Sequence, residues 1–184
     1  LAGGALLCGP GDGKLYALSA ETGKLLWQTD HSAAWQYLRQ LHVDGDVLVA
    51  GSYKEKLFGI SVRDGKILWE FNAGNFINSH HVADGAAYLW SPTGWIYALD
   101  AASGKVRWRA QTTDYDDTAG NWGPLMAELV TLGGTLLALD MRDELHILDL
   151  HSGKEIRRGR LPSPVRHAVL PIAGGLAFPA MDGR

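Results

Sequence analysis

One feature of the sequence restricts the fold more than any other: a short motif that returns about every forty residues. Its most constant part is a Gly-Lys pair, whose glycines are Gly23, Gly65, Gly104 and Gly153. The spacings between these glycines are 42, 39 and 49 residues. In three repeats a tryptophan follows four residues after the glycine, at Trp27, Trp69 and Trp108, and the fourth repeat has Arg157 there. Self-similarity at a fixed period of this length indicates a repeat architecture.

Each repeat has the same internal order of apolar segments and turns. A continuous apolar run such as residues 136–139 is followed by an alternating segment such as residues 95–100, and a Thr-Gly, Asp-Gly or Ser-Gly turn then leads to the tryptophan. Turns of this composition join antiparallel strands, and no segment has a sustained helical period. A period near forty residues with about four strands predicts an all-β fold, a β-propeller of four-stranded antiparallel blades. We expect the repeated tryptophans to tie neighbouring blades together by packing on the glycine-bearing turns.

The repeat divides the chain into four complete units and the start of a fifth. Their bounds are about 1–43, 44–82, 83–131, 132–171 and 172–184, the last because residues 1–14 resemble residues 172–184. Such a segment is expected to be part of a ring of seven or eight blades. The alternative is that the open blade edges pair with another copy of the chain.

The motif resembles the tryptophan-docking repeat of the pyrroloquinoline-quinone-like (PQQ-like) β-propeller superfamily. Ala98, Asp100, Gly104 and Trp108 match its pattern Ala-x-Asp-x-x-x-Gly-x-x-x-Trp in full, and the other repeats depart at one to two positions. The resemblance covers nearly the whole chain. It implies the fold strongly and the function weakly, because the superfamily includes quinoprotein dehydrogenases, outer-membrane assembly lipoproteins and kinase sensor domains. It also implies an extracytoplasmic location, in the periplasm or cell envelope.

Composition and charge exclude several kinds of partner. The net charge is -3, and no large cluster of basic residues supports binding to nucleic acid. The single cysteine, Cys8, allows no internal disulfide. No apolar run is long enough to span a membrane, so membrane association would require an N-terminal anchor outside this chain.

Function is expected in the loops that follow each outermost strand, because these segments interrupt the repeat most. They carry aromatic, Arg, Asn and His side chains of the kind found at protein interfaces. The predicted ligand- or partner-binding residues are Trp35, Tyr37, Arg39, Asn75, Phe76, Asn78, His80, His81, Asn121, Trp122, Arg166 and His167.

The residues that could support chemistry are few. His80 and His81 are adjacent, and neighbouring residues of a strand point to opposite faces, so they do not predict a shared metal site. The run Asp114-Tyr-Asp-Asp117 suggests calcium, but it lacks the later Glu and Gly of an EF-hand loop and is better explained as a solvated acidic loop. The other histidines, His146 among them, are interpreted as surface or packing residues. No catalytic residue and no metal site are predicted.

The sequence therefore favours a non-catalytic propeller that binds a protein or peptide and acts as a scaffold. Two alternatives stay open: a propeller that senses PQQ or another small ligand, and a fragment of a PQQ-dependent dehydrogenase. Dehydrogenases of the resembled superfamily commonly have a vicinal cysteine pair, which one cysteine cannot form. No cofactor is expected in these blades, whereas PQQ with calcium stays open for the complete protein.

Overall fold

The computed structural model describes residues 3–9, 12–31, 38–52, 55–74, 77, 79–91, 94–111, 128–140, 143–163, 165, 169–180 and 182–183. Within these residues every regular element is a strand, and no helix is long and apolar enough to cross a membrane. The strands of the first half are β1 (Ala5–Cys8), β2 (Lys14–Ser19), β3 (Leu25–Asp30), β4 (Leu38–Asp44), β5 (Val47–Ser52), β6 (Lys56–Ser61), β7 (Ile67–Asn72) and β8 (Ser79–Ala83). The remaining strands are β9 (Ala86–Ser91), β10 (Trp95–Asp100), β11 (Val106–Gln111), β12 (Val130–Leu132), β13 (Thr135–Leu139), β14 (Glu144–Asp149), β15 (Glu155–Arg160), β16 (Leu170–Ile172) and β17 (Gly175–Ala177).

These strands form five separate sheets in which each strand is hydrogen-bonded to the next along the chain. The first sheet has three strands, β1 to β3, and the last has two, β16 and β17. Three four-stranded sheets lie between them in sequence: β4 to β7, β8 to β11 and β12 to β15. The all-β class and the four-stranded blade predicted from the repeat are thus confirmed.

The sheets begin one strand earlier than the sequence repeats. Strand β4, for example, falls in the first repeat unit but pairs with β5 in the second sheet, with His42 opposite Val49. The Gly-Lys motif marks the hairpin between the last two strands of a sheet, as between β6 and β7. A periodic sequence can be divided at any point of its period, so the hydrogen bonds, not the motif, define where a blade starts.

Burial changes in a regular way across a sheet. The second strand is almost wholly buried, as in β9, where all six residues are buried. The fourth strand is largely exposed, as in β7, where Trp69 alone is buried. This gradient explains the sequence pattern, since a strand covered on both faces is a continuous apolar run and a strand at the outer edge is not.

The chain divides into two compact units. The first comprises Leu1–Ile77, Val82–Ala87 and Leu99–Val106, and the second Asn78–His81, Tyr88–Ala98 and Arg107–Arg184. In the first unit, Leu15, Leu48, Phe58 and Ile60 are buried together in one core cluster. In the second, Leu139 and Val165 are buried with Leu145, Leu161 and Phe178 packed against them. Each unit therefore has its own apolar core.

Each repeated tryptophan donates a hydrogen bond to the sheet that follows its own. In the first unit, the Nε1 atoms of Trp27 and Trp69 lie 2.9 Å from the carbonyl oxygens of Val62 and Ala101. In the second unit, Trp108 Nε1 lies 3.1 Å from the carbonyl oxygen of Leu150. The indole ring covers the glycine of the same turn. A Cβ atom at Gly104, for instance, would lie 2.6 Å from the ring of Trp69. The tryptophan therefore joins consecutive sheets within a unit by a directed bond and by close packing.

Candidate functional site

Most of the predicted loop residues lie outside the described part of the chain. Two of the twelve, His80 and His81, have described side chains, and Arg39 is placed as part of strand β4 only. The residues outside the described ranges are Trp35, Tyr37, Asn75, Phe76, Asn78, Asn121, Trp122, Arg166 and His167. The acidic run of residues 114–117 is also outside them. For these positions the assignment to a binding surface stays a prediction.

His80 and His81 lie on β8, the first strand of its sheet. The side chain of His80 is buried, and that of His81 is half-buried. The Nε2 atom of His81 lies 3.2 Å from the hydroxyl oxygen of Thr131 on β12, which is the first strand of the following sheet. His81 therefore links the first strands of two consecutive sheets of the second unit, and its ring has a structural contact.

Ser79 precedes these histidines at the start of β8. Its side chain is 3% exposed, and its hydroxyl has no hydrogen-bond partner among the residues that the structure describes. Buried hydroxyls are usually satisfied, so each exception requires an explanation. Ser79 follows residues 73–78, one of the predicted partner-binding segments, and its hydroxyl is buried.

A second group of polar side chains is found in the fourth sheet. His146, on β14, is fully buried, and Asp140, in the turn before β14, is 3% exposed. The His146 ring lies between two carboxylates: Nε2 is 3.0 Å from Oδ2 of Asp140, and Nδ1 is 2.7 Å from Oε2 of Glu155 on β15. Asp140 Oδ1 also accepts a hydrogen bond of 2.9 Å from the backbone N–H of Glu144. The three side chains form a continuous chain of hydrogen bonds inside this sheet.

The electrostatics of this group favour a charged imidazole. Burial lowers the pKa of His146, but the hydrogen bonds to Asp140 and Glu155 outweigh it, and the pKa is raised above its ordinary value. Burial raises the pKa of Glu155, but its hydrogen bonds to His146 and Arg158 prevail and hold the pKa below its ordinary value. Since an imidazole can donate from both nitrogens only when it is protonated, the geometry and the pKa shifts agree.

Asp140, Glu144 and His146 also present potential metal-ligand atoms within 4.8 Å of one another. Both nitrogens of His146 are engaged by carboxylates, however, and Glu144 Oε2 lies 3.5 Å from Arg158 Nη1. A cation bound here would have to displace the proton between His146 and Asp140 and compete with a guanidinium. The arrangement is better described as an ion network than as a metal centre.

This network was not predicted, because His146 was interpreted as an isolated surface or packing residue. The signal that could have revealed it lies in the repeat itself. His146 precedes its Gly-Lys pair by seven residues, and the same position holds Tyr16, Phe58 and Tyr97 in the other repeats. A buried ionisable group in place of three aromatic rings marks the fourth sheet as different.

Comparison with known proteins identifies the family to which this fold belongs. A family model described as outer membrane protein assembly factor BamB matches residues 11–168. The chain belongs to the BamB family. The BamB-family assignment confirms the PQQ-like propeller that the tryptophan repeat predicted.

Solved structures show the same propeller fold at low sequence identity. The crystal structure of BamB from Moraxella catarrhalis matches with 19% identity and a TM-score of 0.77, covering 97% of this chain and 52% of that chain. Sqt1 from Saccharomyces cerevisiae matches with 16% identity and a TM-score of 0.68, covering 91% of this chain and 46% of that one. The computationally designed Ika4 protein matches with 13% identity and a TM-score of 0.67, over 82% of this chain and 88% of its own. No curated protein sequence matches. The chain thus spans about half the length of the BamB structure that it resembles.

Proposed function

We propose that this BamB-family chain is a non-catalytic, extracytoplasmic module that binds a protein partner through the loops joining one sheet to the next. Its family is described as an outer membrane protein assembly factor, which supports a protein partner in assembly at that membrane. The proposal includes the nine predicted residues outside the described ranges and the three on β4 and β8.

The distribution of loop lengths is the observation that carries this proposal. Connections within a sheet are two to five residues long, as expected for hairpins. Connections from the last strand of a sheet to the first strand of the next have 7, 6, 18 and 9 residues. Variable loops on a regular scaffold are where binding residues are usually found. The inter-sheet loops are therefore the segments free to differ between proteins with the same blades.

The strands and hairpins of the blades are less suited to binding a partner than the loops between sheets. The indole donors of Trp27, Trp69 and Trp108 are bonded to backbone carbonyls, so these aromatic side chains serve the fold. The aromatic residues predicted for binding, including Trp35 and Trp122, fall in sequence between the last strand of one sheet and the first strand of the next. Tryptophan is among the residues that contribute most at protein interfaces. These two positions are the strongest choices for a test.

Site-specific photo-crosslinking in the full-length protein, in its own cell envelope, tests the proposal. A photoreactive amino acid replaces Trp35 or Trp122 in the loops. The matched controls carry it at Leu26 or Ile156 on the outer strands, which are 56% and 59% exposed. We expect the loop positions to crosslink to one envelope protein that mass spectrometry identifies as a component of outer-membrane protein assembly. The controls should not crosslink to it.

Two results would contradict the proposal. Crosslinks to the same protein from Leu26 and Ile156, but not from the loops, would move the interface to the outer strands. Saturable binding of PQQ with calcium, abolished by changing Arg39 or Arg166, would instead support a ligand-sensing or dehydrogenase propeller. The first result is read from the crosslinked product and the second from ligand binding to the purified full-length protein, so the two are distinguishable.

A further inference from the structure

The fourth repeat differs from the other three at a set of positions, not at one. The position of His146 is aromatic in the others, as described above. The position of Glu155, two residues after the motif glycine, holds Leu25, Ile67 and Val106 in the others. The position of Asp140, thirteen residues before that glycine, holds Pro10, Ser52 and Ser91. Asp140 and Glu155, which both contact His146, are thus acidic at positions where the other repeats have no carboxylate.

A neighbouring ion pair in the same sheet has a simpler explanation. Glu144 on β14 and Arg158 on β15 are diagonal neighbours across the two strands, with Glu144 Oε2 3.5 Å from Arg158 Nη1. The corresponding residues of the second sheet are Lys56 and Glu70, whose side chains are 2.6 Å apart. The fourth sheet therefore has the same diagonal pair as the second with its charges reversed, and that pair accounts for Glu144. What remains unexplained is Asp140, His146 and Glu155.

This set connects three successive parts of the fourth sheet. Asp140 belongs to the turn between β13 and β14, His146 to β14 and Glu155 to the start of β15. Strand β15 is exposed at all six residues, so it contributes little apolar burial of its own. The other outer strands have a tryptophan at the position where β15 has Arg157. The hydrogen bond from the fully buried His146 to Glu155, whose side chain is 33% exposed, therefore ties β15 to a buried residue of β14.

We propose that Asp140, His146 and Glu155 form a pH-sensitive latch that holds the outer strand β15 on the fourth sheet. The latch is closed when His146 is protonated and both carboxylates are ionised, because each imidazole nitrogen then donates to a carboxylate oxygen. Loss of the His146 proton leaves one of the two carboxylates facing a nitrogen lone pair in a buried site, which is unfavourable.

The direction of the pH dependence follows from the groups around His146. Asp140, Glu155 and Glu144 are acidic, and Arg158, bonded to Glu155, is the basic group close to them. Because the pKa of His146 is raised in the fold, the latch has its full strength below the ordinary imidazole value of about 6.5. It weakens as the pH rises through the folded pKa. Because the pKa of Glu155 is lowered, the latch also weakens in strong acid, as the pH falls through that value.

The test replaces the latch with residues that the same chain uses in its third sheet. The triple variant Asp140→Ser, His146→Tyr and Glu155→Val reproduces Ser91, Tyr97 and Val106. Each introduced side chain already occupies the corresponding position of the third sheet, so this variant is expected to fold. Amide hydrogen exchange is then measured on wild type and variant at pH 6 and pH 9, with rates corrected for intrinsic exchange. The amides of β3, the outer strand of the first sheet, serve as an internal control.

We expect the protection of the β15 amides to fall about tenfold or more between pH 6 and pH 9 in the wild type, as His146 loses its proton. The triple variant should show no such fall, and β3 should be unchanged in both proteins. Nitrogen NMR of His146 should show both ring nitrogens predominantly protonated at pH 6.5, where a histidine of ordinary pKa is about half neutral. A neutral ring at that pH, or equal changes of β15 protection in wild type and variant, would overturn the proposal.

Discussion

Trp69 and Gly104 show how single residues connect the blades. The indole of Trp69 is 8% exposed, bonds to the Ala101 carbonyl and covers Gly104, which has a φ of +69°. Gly23 holds the same motif position with the same φ, but no atom lies within 4 Å of where its Cβ would be. The two glycines therefore share a backbone requirement and differ in packing.

Replacing each glycine by alanine separates these two effects. Gly23→Ala should cost about 1–2 kcal/mol because a side chain disfavours the left-handed conformation. Gly104→Ala should cost a further 1–3 kcal/mol or so, because its Cβ also overlaps the Trp69 ring. Urea unfolding measures both free energies. Equal losses in the two variants would show that the tryptophan contact contributes nothing.

The hydrogen bond of the Trp69 indole can be tested by replacing Trp69 with an aromatic residue that has no N–H donor. Trp69→Phe removes the donor and leaves the Ala101 carbonyl buried without it, at an expected cost of about 2 kcal/mol. The control Trp95→Phe keeps an aromatic ring under the Arg109 guanidinium, which lies 4.6 Å from the ring centroid, and should cost less than about 1 kcal/mol. If Trp95→Phe is the more destabilising change in urea unfolding, the docking role assigned to Trp69 is wrong.

The strands show what a sequence repeat can and cannot predict. The apolar run of residues 136–139 predicted a buried strand, and β13 is buried over those four residues. The network around His146 was not predicted, because its members are separated by up to 15 residues in sequence and meet only through strand pairing. The inter-sheet loops were recognised by their departure from the repeat. A departure from a pattern locates a loop, but it specifies neither the conformation of the loop nor its partner.

The Lys56–Glu70 pair makes a prediction for the outer strands. Its side chains are 34% and 43% exposed, and pairs of this kind contribute about 0–1 kcal/mol. A double-mutant cycle with Lys56→Ala and Glu70→Ala should therefore give a coupling energy below about 1 kcal/mol that decreases in high salt. A larger, salt-independent coupling would show that the outer strands depend on ion pairs more than their exposure suggests.

At the scale of the whole molecule, the chain is a BamB-family propeller segment in which the connections between sheets differ more in length than those within sheets. One sequence motif was enough to predict the family resemblance. The same motif could not predict the function of the chain, because the same blades support enzymes, sensors and assembly factors. The central claim is therefore that the loops, and not the outer strands, bind a protein partner.

The affinity of the full-length protein for its crosslinked partner tests this claim most directly. Titration calorimetry compares wild type with Trp35→Ala and Trp122→Ala in the loops, and with Leu26→Ala on the outer strand β3. We expect at least one loop variant to weaken binding about 30-fold or more, equivalent to about 2 kcal/mol, while Leu26→Ala leaves the affinity unchanged. Unchanged affinity in both loop variants, together with a loss in Leu26→Ala, would contradict it.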